Sequence, residues 1–230
     1  MTIDRPAARN AVTFAAHSEL VRRWIAIQHD AEIRVMVVTG AEDPSAPPEK
    51  QSFCAGADVR ELDDGALADG QTVPSLASLE SRTPVIAAVN GYCIGEGLTL
   101  ALASDLRVAS PTATFGFPEV RFGGVPGNGG VRQAMLELPR AVVMELLLLP
   151  GRMEAARALE LGLVNAIVPH DQVLETALEW AATIAALPAD AVRDAMTLAA
   201  SADHISRHNA ADIESTIVSR LNQHLLRTKP

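Results

Sequence analysis

The sequence predicts an α/β domain with a helical C-terminal region, and three observations carry that reading. Residues 32–40 (EIRVMVVTG) are a short β-branched run closed by glycine, directly after a stretch with helical periodicity. Residues 84–89 (PVIAAV) are a second apolar run, leading through three glycines into a further helix-forming stretch. Beyond residue 130, helical patterns dominate and only one short strand candidate interrupts them.

The first helix is expected over residues 13–30, where Leu20, Trp24 and Ile27 recur at three- and four-residue spacing and share a face. The run at 32–40 follows as a strand buried on both sides. Residues 41–52 (AEDPSAPPEKQS) hold three prolines and several charges, which suits a surface loop rather than a linker between domains. After the strand at 84–89, residues 90–97 read as a glycine turn and 98–103 as the first turns of an apolar helix. Residues 106–109 form a third strand candidate. Residues 115–130 (FGFPEVRFGGVPGNGG) are too rich in glycine and proline for regular helix, so a shaped loop is expected. Helices are expected at about 131–149, 154–161, 172–186, 189–201 and 209–226, with a short strand near 164–168. No repeat of 20 to 50 residues and no low-complexity tract divides the chain. The expected organisation is a core over residues 1–170 and a helical region over 171–230, both in one functional unit.

Composition narrows the function. The chain has 230 residues, 48% hydrophobic and 20% charged, which is ordinary for a folded domain with a sizeable core. A net charge of −9 with only 3% aromatic residues excludes a basic, base-stacking nucleic-acid surface. Backbone amides and a few local arginines still allow an anionic ligand. Cys54 and Cys93 have neither metal-ligand spacing nor a disulfide framework, as suits a reducing compartment. No apolar run approaches 18 residues and residues 1–10 contain no apolar signal core, so neither export nor membrane spanning is expected, and the expected location is cytoplasmic.

Three segments carry candidate chemistry: Phe53-Cys54-Ala55-Gly56-Ala57-Asp58, Asn90-Gly91-Tyr92-Cys93-Ile94-Gly95-Glu96-Gly97, and Phe115-Gly116-Phe117-Pro118-Glu119. Small residues let a ligand approach the main chain, and an N–H at a helix start is an oriented donor backed by the helix dipole. Two such donors can hold an oxyanion, each being worth roughly a hundred- to a thousand-fold in rate. The third segment delivers a carboxylate.

Other patterns are weaker. Gly95-Glu96-Gly97 lacks the third glycine of a dinucleotide fingerprint, since Leu100 stands there. His204 and His208 lack the glutamate of a zincin helix, because Ile205 follows His204. Cys93 and the Ser104-Asp105 pair have no nearby histidine to activate a nucleophile, and Asp63, Asp64 and Asp69 read as a solvated charge run.

FCAGAD, PVIAAVNGYCIGEG, SDLRVAS, FGFPE and GVPGNGG stand in an order and spacing that resembles the crotonase (enoyl-CoA hydratase/isomerase) superfamily over nearly the whole chain. GRMEAARALELGLVNAIVP resembles the family's next helix and strand. The resemblance implies a spiral of stacked ββα units with a helical trimerisation region, a homotrimer or dimer of trimers, and an acyl-CoA substrate. No separate cofactor is implied, coenzyme A being part of the substrate.

The resemblance assigns the thioester oxygen to the amides of Ala57 and Glu96, and the adenine side of CoA to carbonyls of Ala55, Ala57 and Val59. Glu119 matches the second hydratase glutamate. Two departures stand out. Glu96 occupies the place of a glycine, and a positive φ there would be strained, so an altered oxyanion hole is expected. Thr99 stands where the first hydratase glutamate belongs, which removes one acid/base group from the reaction. Isomerisation fits Glu119 alone, whereas Glu96, one turn from Thr99, is a candidate replacement for hydration. Gly127 stands near where some relatives carry a catalytic Asp. The short ends imply an incomplete first ββα unit and an altered pocket cover. Alternatives are decarboxylation or hydrolysis of another CoA thioester, or an acyl-CoA-binding subunit without activity.

Overall fold

The computed structural model describes residues 1–58, 60, 82–122, 124–149 and 151–202. Val59, the aspartates at 63, 64 and 69, the histidines at 204 and 208 and the helix expected at 209–226 lie outside the described residues.

Two sheets organise the chain. A five-stranded, wholly parallel sheet runs in the order β1 (Thr2–Ile3), β2 (Met36–Gly40), β4 (Val85–Val89), β6 (Leu106–Ala109), β9 (Ala166–Ile167). A second sheet runs in the order β3 (Ser52–Cys54), β5 (Tyr92–Ile94), β7 (Thr114–Gly116), β8 (Met153–Glu154), antiparallel only at the last pair. The α-helices among the described residues are α1 (Phe14–His29), α2 (Glu96–Leu102), α3 (Gly130–Glu137), α4 (Arg140–Leu148), α5 (Ala155–Glu160), α6 (Val173–Ala185) and α7 (Ala189–Ala202).

β4 shows why the order holds. All five of its residues are buried, and alternate side chains take opposite faces. Val85, Ala87 and Val89 join the main core with Phe53, Leu98 and Leu100, while Ile86 and Ala88 meet Val173 and Ala177 of α6. A strand covered on both sides has no polar face, hence its continuous apolar run. α6 is therefore part of the packing around the central sheet, although the sequence groups it with the C-terminal helices.

Several expected elements change in detail. α1 begins after Thr13, whose hydroxyl accepts from the Ala16 N–H at 3.1 Å as an N-cap. β2 spans only the second half of the run at 32–40. The expected turn at 90–97 contains β5, and α2 starts at Glu96 rather than at 98. The expected helix over 131–149 is two helices, because Pro139 cannot supply an N–H and disfavours helix at Leu138, which is extended. β1, an edge strand of two residues, pairs with β2 where the sequence leaves little room for a strand.

Candidate active site

The site forms where the C-terminal ends of β3 and β5 meet. Beyond β3, residues 55–58 are clamped by the N-terminal segment: Ala55 N–H donates to the Arg9 carbonyl (3.1 Å), Val12 N–H to the Gly56 carbonyl (2.8 Å), and Asp58 N–H to the Val12 carbonyl (2.9 Å). The buried Asp58 carboxylate accepts from Arg5 at 3.1 Å and from Arg60 at 2.9 and 2.7 Å. Arg60 above all, with Arg5, holds its carboxyl well below the usual carboxylate range, so the clamp is charged at any ordinary pH. Ala57 is left exposed with its N–H unclaimed by any acceptor among the described residues.

Beyond β5 the chain turns through Gly95 (φ 56°, ψ −116°) into α2. A Cβ on Gly56 would lie 3.1 Å from the Ile94 carbonyl oxygen and 3.8 Å from the Glu96 nitrogen. A Cβ on Gly95 would lie 2.6 Å from Glu119 Oε1 and 3.6 Å from Gly56 Cα. The two glycines thus bring the Ala57 turn, the Glu96 N–H and the Glu119 carboxylate around one spot. The positive φ falls on Gly95 and not on Glu96, so the backbone strain expected from a glutamate at this position does not arise. Glu96 is simply the first residue of α2, and no acceptor among the described residues takes its N–H.

Glu119 opens a short 3₁₀ turn after β7. Burial pushes its pKa up, a bond to its own main chain opposes that, and the negative charge of Glu96 adds to the rise. Its Oε2 is buried with no hydrogen-bond partner. The Glu96 carboxylate accepts from Asn128 Nδ2 at 2.7 Å through Oε2. Its Oε1 lies 2.9 Å from His17 Nδ1, a close approach that is not aligned as a hydrogen bond.

The structure brings Ala57, Glu96 and Glu119 together and places Ala55 beside them, half-buried. Thr99 is elsewhere. It is 2% exposed, its hydroxyl donates to the Gly95 carbonyl at 3.3 Å, and a Cβ on Gly130 would come within 2.2 Å of that hydroxyl. Thr99 therefore sets the close approach of α2 and α3 rather than offering a free hydroxyl. Val59 lies outside the described residues. Burial pushes the Cys54 thiol up to about 12 and the Cys93 thiol well above its ordinary value, so neither supplies a thiolate.

His17 and Asn128 went unnoticed in the sequence. The available signal was a lone titratable residue on the buried stripe of α1, shared with Leu20, Val21, Trp24 and Gln28. Asn128 carries no such mark: it stands among glycines in a left-handed conformation (φ 54°), a role that asparagine takes for backbone reasons alone.

The sequence profile of the enoyl-CoA hydratase/isomerase family matches residues 1–228. This chain belongs to that family. Among its relatives, a 2,3-dehydroadipyl-CoA hydratase of Escherichia coli is 38% identical over 189 residues, covering 80% of this chain and 71% of that one. A mevalonyl-coenzyme A hydratase of Aspergillus fumigatus is 36% identical over 202 residues, covering 85% and 72%. The enoyl-CoA hydratase structure from Bacillus anthracis superposes with a TM-score of 0.82 at 30% identity, covering 95% of this chain and 84% of that one. The Mycobacterium marinum enoyl-CoA hydratase EchA1 gives 0.83 at 32%, covering 96% and 85%. The protein is accordingly a crotonase-fold enzyme of the acyl-CoA-processing hydratase/isomerase group. No helix among the described residues is long and apolar enough to cross a membrane.

Proposed function

We propose that this crotonase-family enzyme moves protons on the enolate of an acyl-CoA thioester, with Glu119 as the proton carrier and the Ala57 and Glu96 amides as the oxyanion hole. One observation carries the reading: two unclaimed N–H donors and a carboxylate of raised pKa surround the Gly56–Gly95 contact. Amides fixed in this way stabilise the developing oxyanion without reorganising, and a carboxyl shifted towards neutrality suits both taking and giving a proton.

The minimum chemistry is a double-bond shift. Glu119 takes a proton from C2 of a 3-enoyl thioester, the dienolate charge rests on the two amides, and the same carboxyl returns the proton at C4. No second acid is needed, consistent with Thr99 being committed to packing. The carbonyls of Ala55 and Ala57 line the adenine side of CoA in this reading.

Assembly as a homotrimer or dimer of trimers and a cytoplasmic location complete the proposal. Exposed Phe122 (77%), Val125 (78%), Leu148 (61%) and Leu149 (60%) favour burial against other copies, and the free, buried cysteines suit a reducing compartment.

The test offers 2-enoyl-CoA and 3-enoyl-CoA separately and follows products by mass and absorbance. Glu119→Gln is expected to lower kcat/KM by about 10²–10⁴-fold. A Glu119→Gln enzyme as fast as wild type would remove Glu119 from the mechanism.

A further inference from the structure

The Glu96 side chain is the least expected feature of the site. A carboxylate only 12% exposed is a costly thing to bury, and it remains only where partners or function hold it. Glu96 has two contacts, from different elements: Asn128 in the loop before α3 donates to Oε2 at 2.7 Å, and His17 of α1 stands 2.9 Å from Oε1. Neither contact uses up the group. Oε1 is buried without an aligned donor, and so is Oε2 of Glu119. The two carboxylates interact, since the Glu96 charge acts on Glu119 across Gly95. Two largely buried carboxylates, on Glu96 beside Gly95 and on Glu119 against it, each keep an oxygen without a donor, and a small molecule admitted with the substrate could donate to both. Water is the smallest such molecule.

We propose that Glu96, held by His17 and Asn128, is the second acid/base group of this site and activates water for addition to a 2-enoyl thioester. It takes over from one turn earlier on α2 the task that Thr99 cannot perform. This rests on the reading of Glu119 and the two amides given above. In the step, Glu96 accepts a proton from water as the water oxygen bonds to C3. The C2–C3 π electrons pass into the thioester enolate, and protonated Glu119 delivers its proton to C2. One water is consumed. The proton on Glu96 passes to solvent and Glu119 regains one before the next turnover. His17 is the neighbour suited to receive that proton, lying against the oxygen that carries it. The charged or titratable groups facing Glu96 are His17 from α1, Glu119 from the loop after β7 and Cys54 from β3.

The experiment measures hydration of 2-enoyl-CoA and isomerisation of 3-enoyl-CoA on the same preparations of wild type, Glu96→Gln, Asn128→Ala and Glu119→Gln, across pH. Glutamine keeps the acceptor for Asn128 but cannot take a proton. Expected are both activities in wild type, a fall of about 100-fold or more in the hydration-to-isomerisation ratio for Glu96→Gln, and loss of one limb of the hydration pH profile. Asn128→Ala, which loosens the carboxylate without removing it, is expected to lower the ratio by less than Glu96→Gln does and to keep both limbs of the hydration pH profile. An unchanged ratio and profile in Glu96→Gln, with Glu119→Gln inactive, overturns the proposal while leaving Glu119 in place. Asn128→Ala reproducing both the ratio and the lost pH limb of Glu96→Gln also overturns it, because that limb would then report the loop and not the proton on Glu96. Retention of both activities in Glu119→Gln removes the underlying reading. If Glu96→Gln does not fold, Glu96→Asp and Glu96→Asn replace it: hydration by the aspartate variant alone supports the role, and equal hydration by both overturns it.

Discussion

In the proposed mechanism Glu119 ties catalysis to stability through a single proton. Its folded pKa is raised by burial, so the folded state binds that proton more tightly than the unfolded chain does. The favourable contribution is complete below the ordinary glutamate value of about 4.3 and is lost as pH rises through the folded pKa. Glu119→Gln, which cannot ionise, is therefore expected to melt roughly 1–3 °C above wild type at pH 7 and to lose that advantage near pH 4. A difference independent of pH, followed by calorimetry, would show that the carboxyl is not the cause. Gly97 makes a second prediction at this scale. A Cβ there would stand 2.2 Å from the Cys54 carbonyl oxygen and 2.9 Å from the Cys54 Cβ, so α2 would have to move off β3. Gly97→Ala should cost about 1–3 kcal/mol by overpacking. Turnover should fall as well, because the displaced helix begins with Glu96. Urea unfolding and kcat/KM measured together check both effects.

At the scale of elements, buried polar side chains fix how pieces meet. Arg107 on β6 is 5% exposed and donates to the carbonyls of Leu163, Ala101 and Ser104, and to Glu137 of α3 at 2.6 Å. One guanidinium thus joins the end of α2, the segment before β9 and α3. Arg107→Ala takes a donor from each of those buried carbonyls, and should destabilise by about 1–3 kcal/mol in urea titration. Arg107→Met, which keeps the volume, should cost less. Gln28 does similar work for α1, accepting from the Arg82 and Thr83 N–H groups at 2.6 and 2.7 Å and donating to the Thr83 carbonyl at 3.1 Å. That anchor at one end of α1 leaves His17, near the other end, at the site. Periodicity told which face of α1 is buried. It could not tell that this face reaches a carboxylate some eighty positions later.

For the molecule as a whole, association is the testable consequence. Phe122, Val125, Leu148 and Leu149 are more than half exposed in the single chain. Sedimentation equilibrium should give three or six times the 24.3 kDa chain mass. Phe122→Asp with Leu149→Asp should shift the distribution towards the monomer. A wild-type protein that stays monomeric at micromolar concentration would refute the assembly.

What the sequence determined by itself follows from local rules: the buried strand at β4, the helical stripe of α1, the glycine turn ahead of α2 and the FGFPE setting of Glu119 are all written in neighbouring residues. Ala57, Glu96 and Glu119 were legible because each lies in a short patterned segment. Tertiary structure decided the rest. Gly95 rather than Glu96 bears the positive φ, Thr99 is committed to the contact with Gly130, and His17 with Asn128 holds the Glu96 carboxylate. Those outcomes depend on contacts between residues far apart in the chain, set by which strands pair and how closely helices approach. No window of sequence contains that information, because side-chain partners are chosen by packing in space and not by position along the backbone.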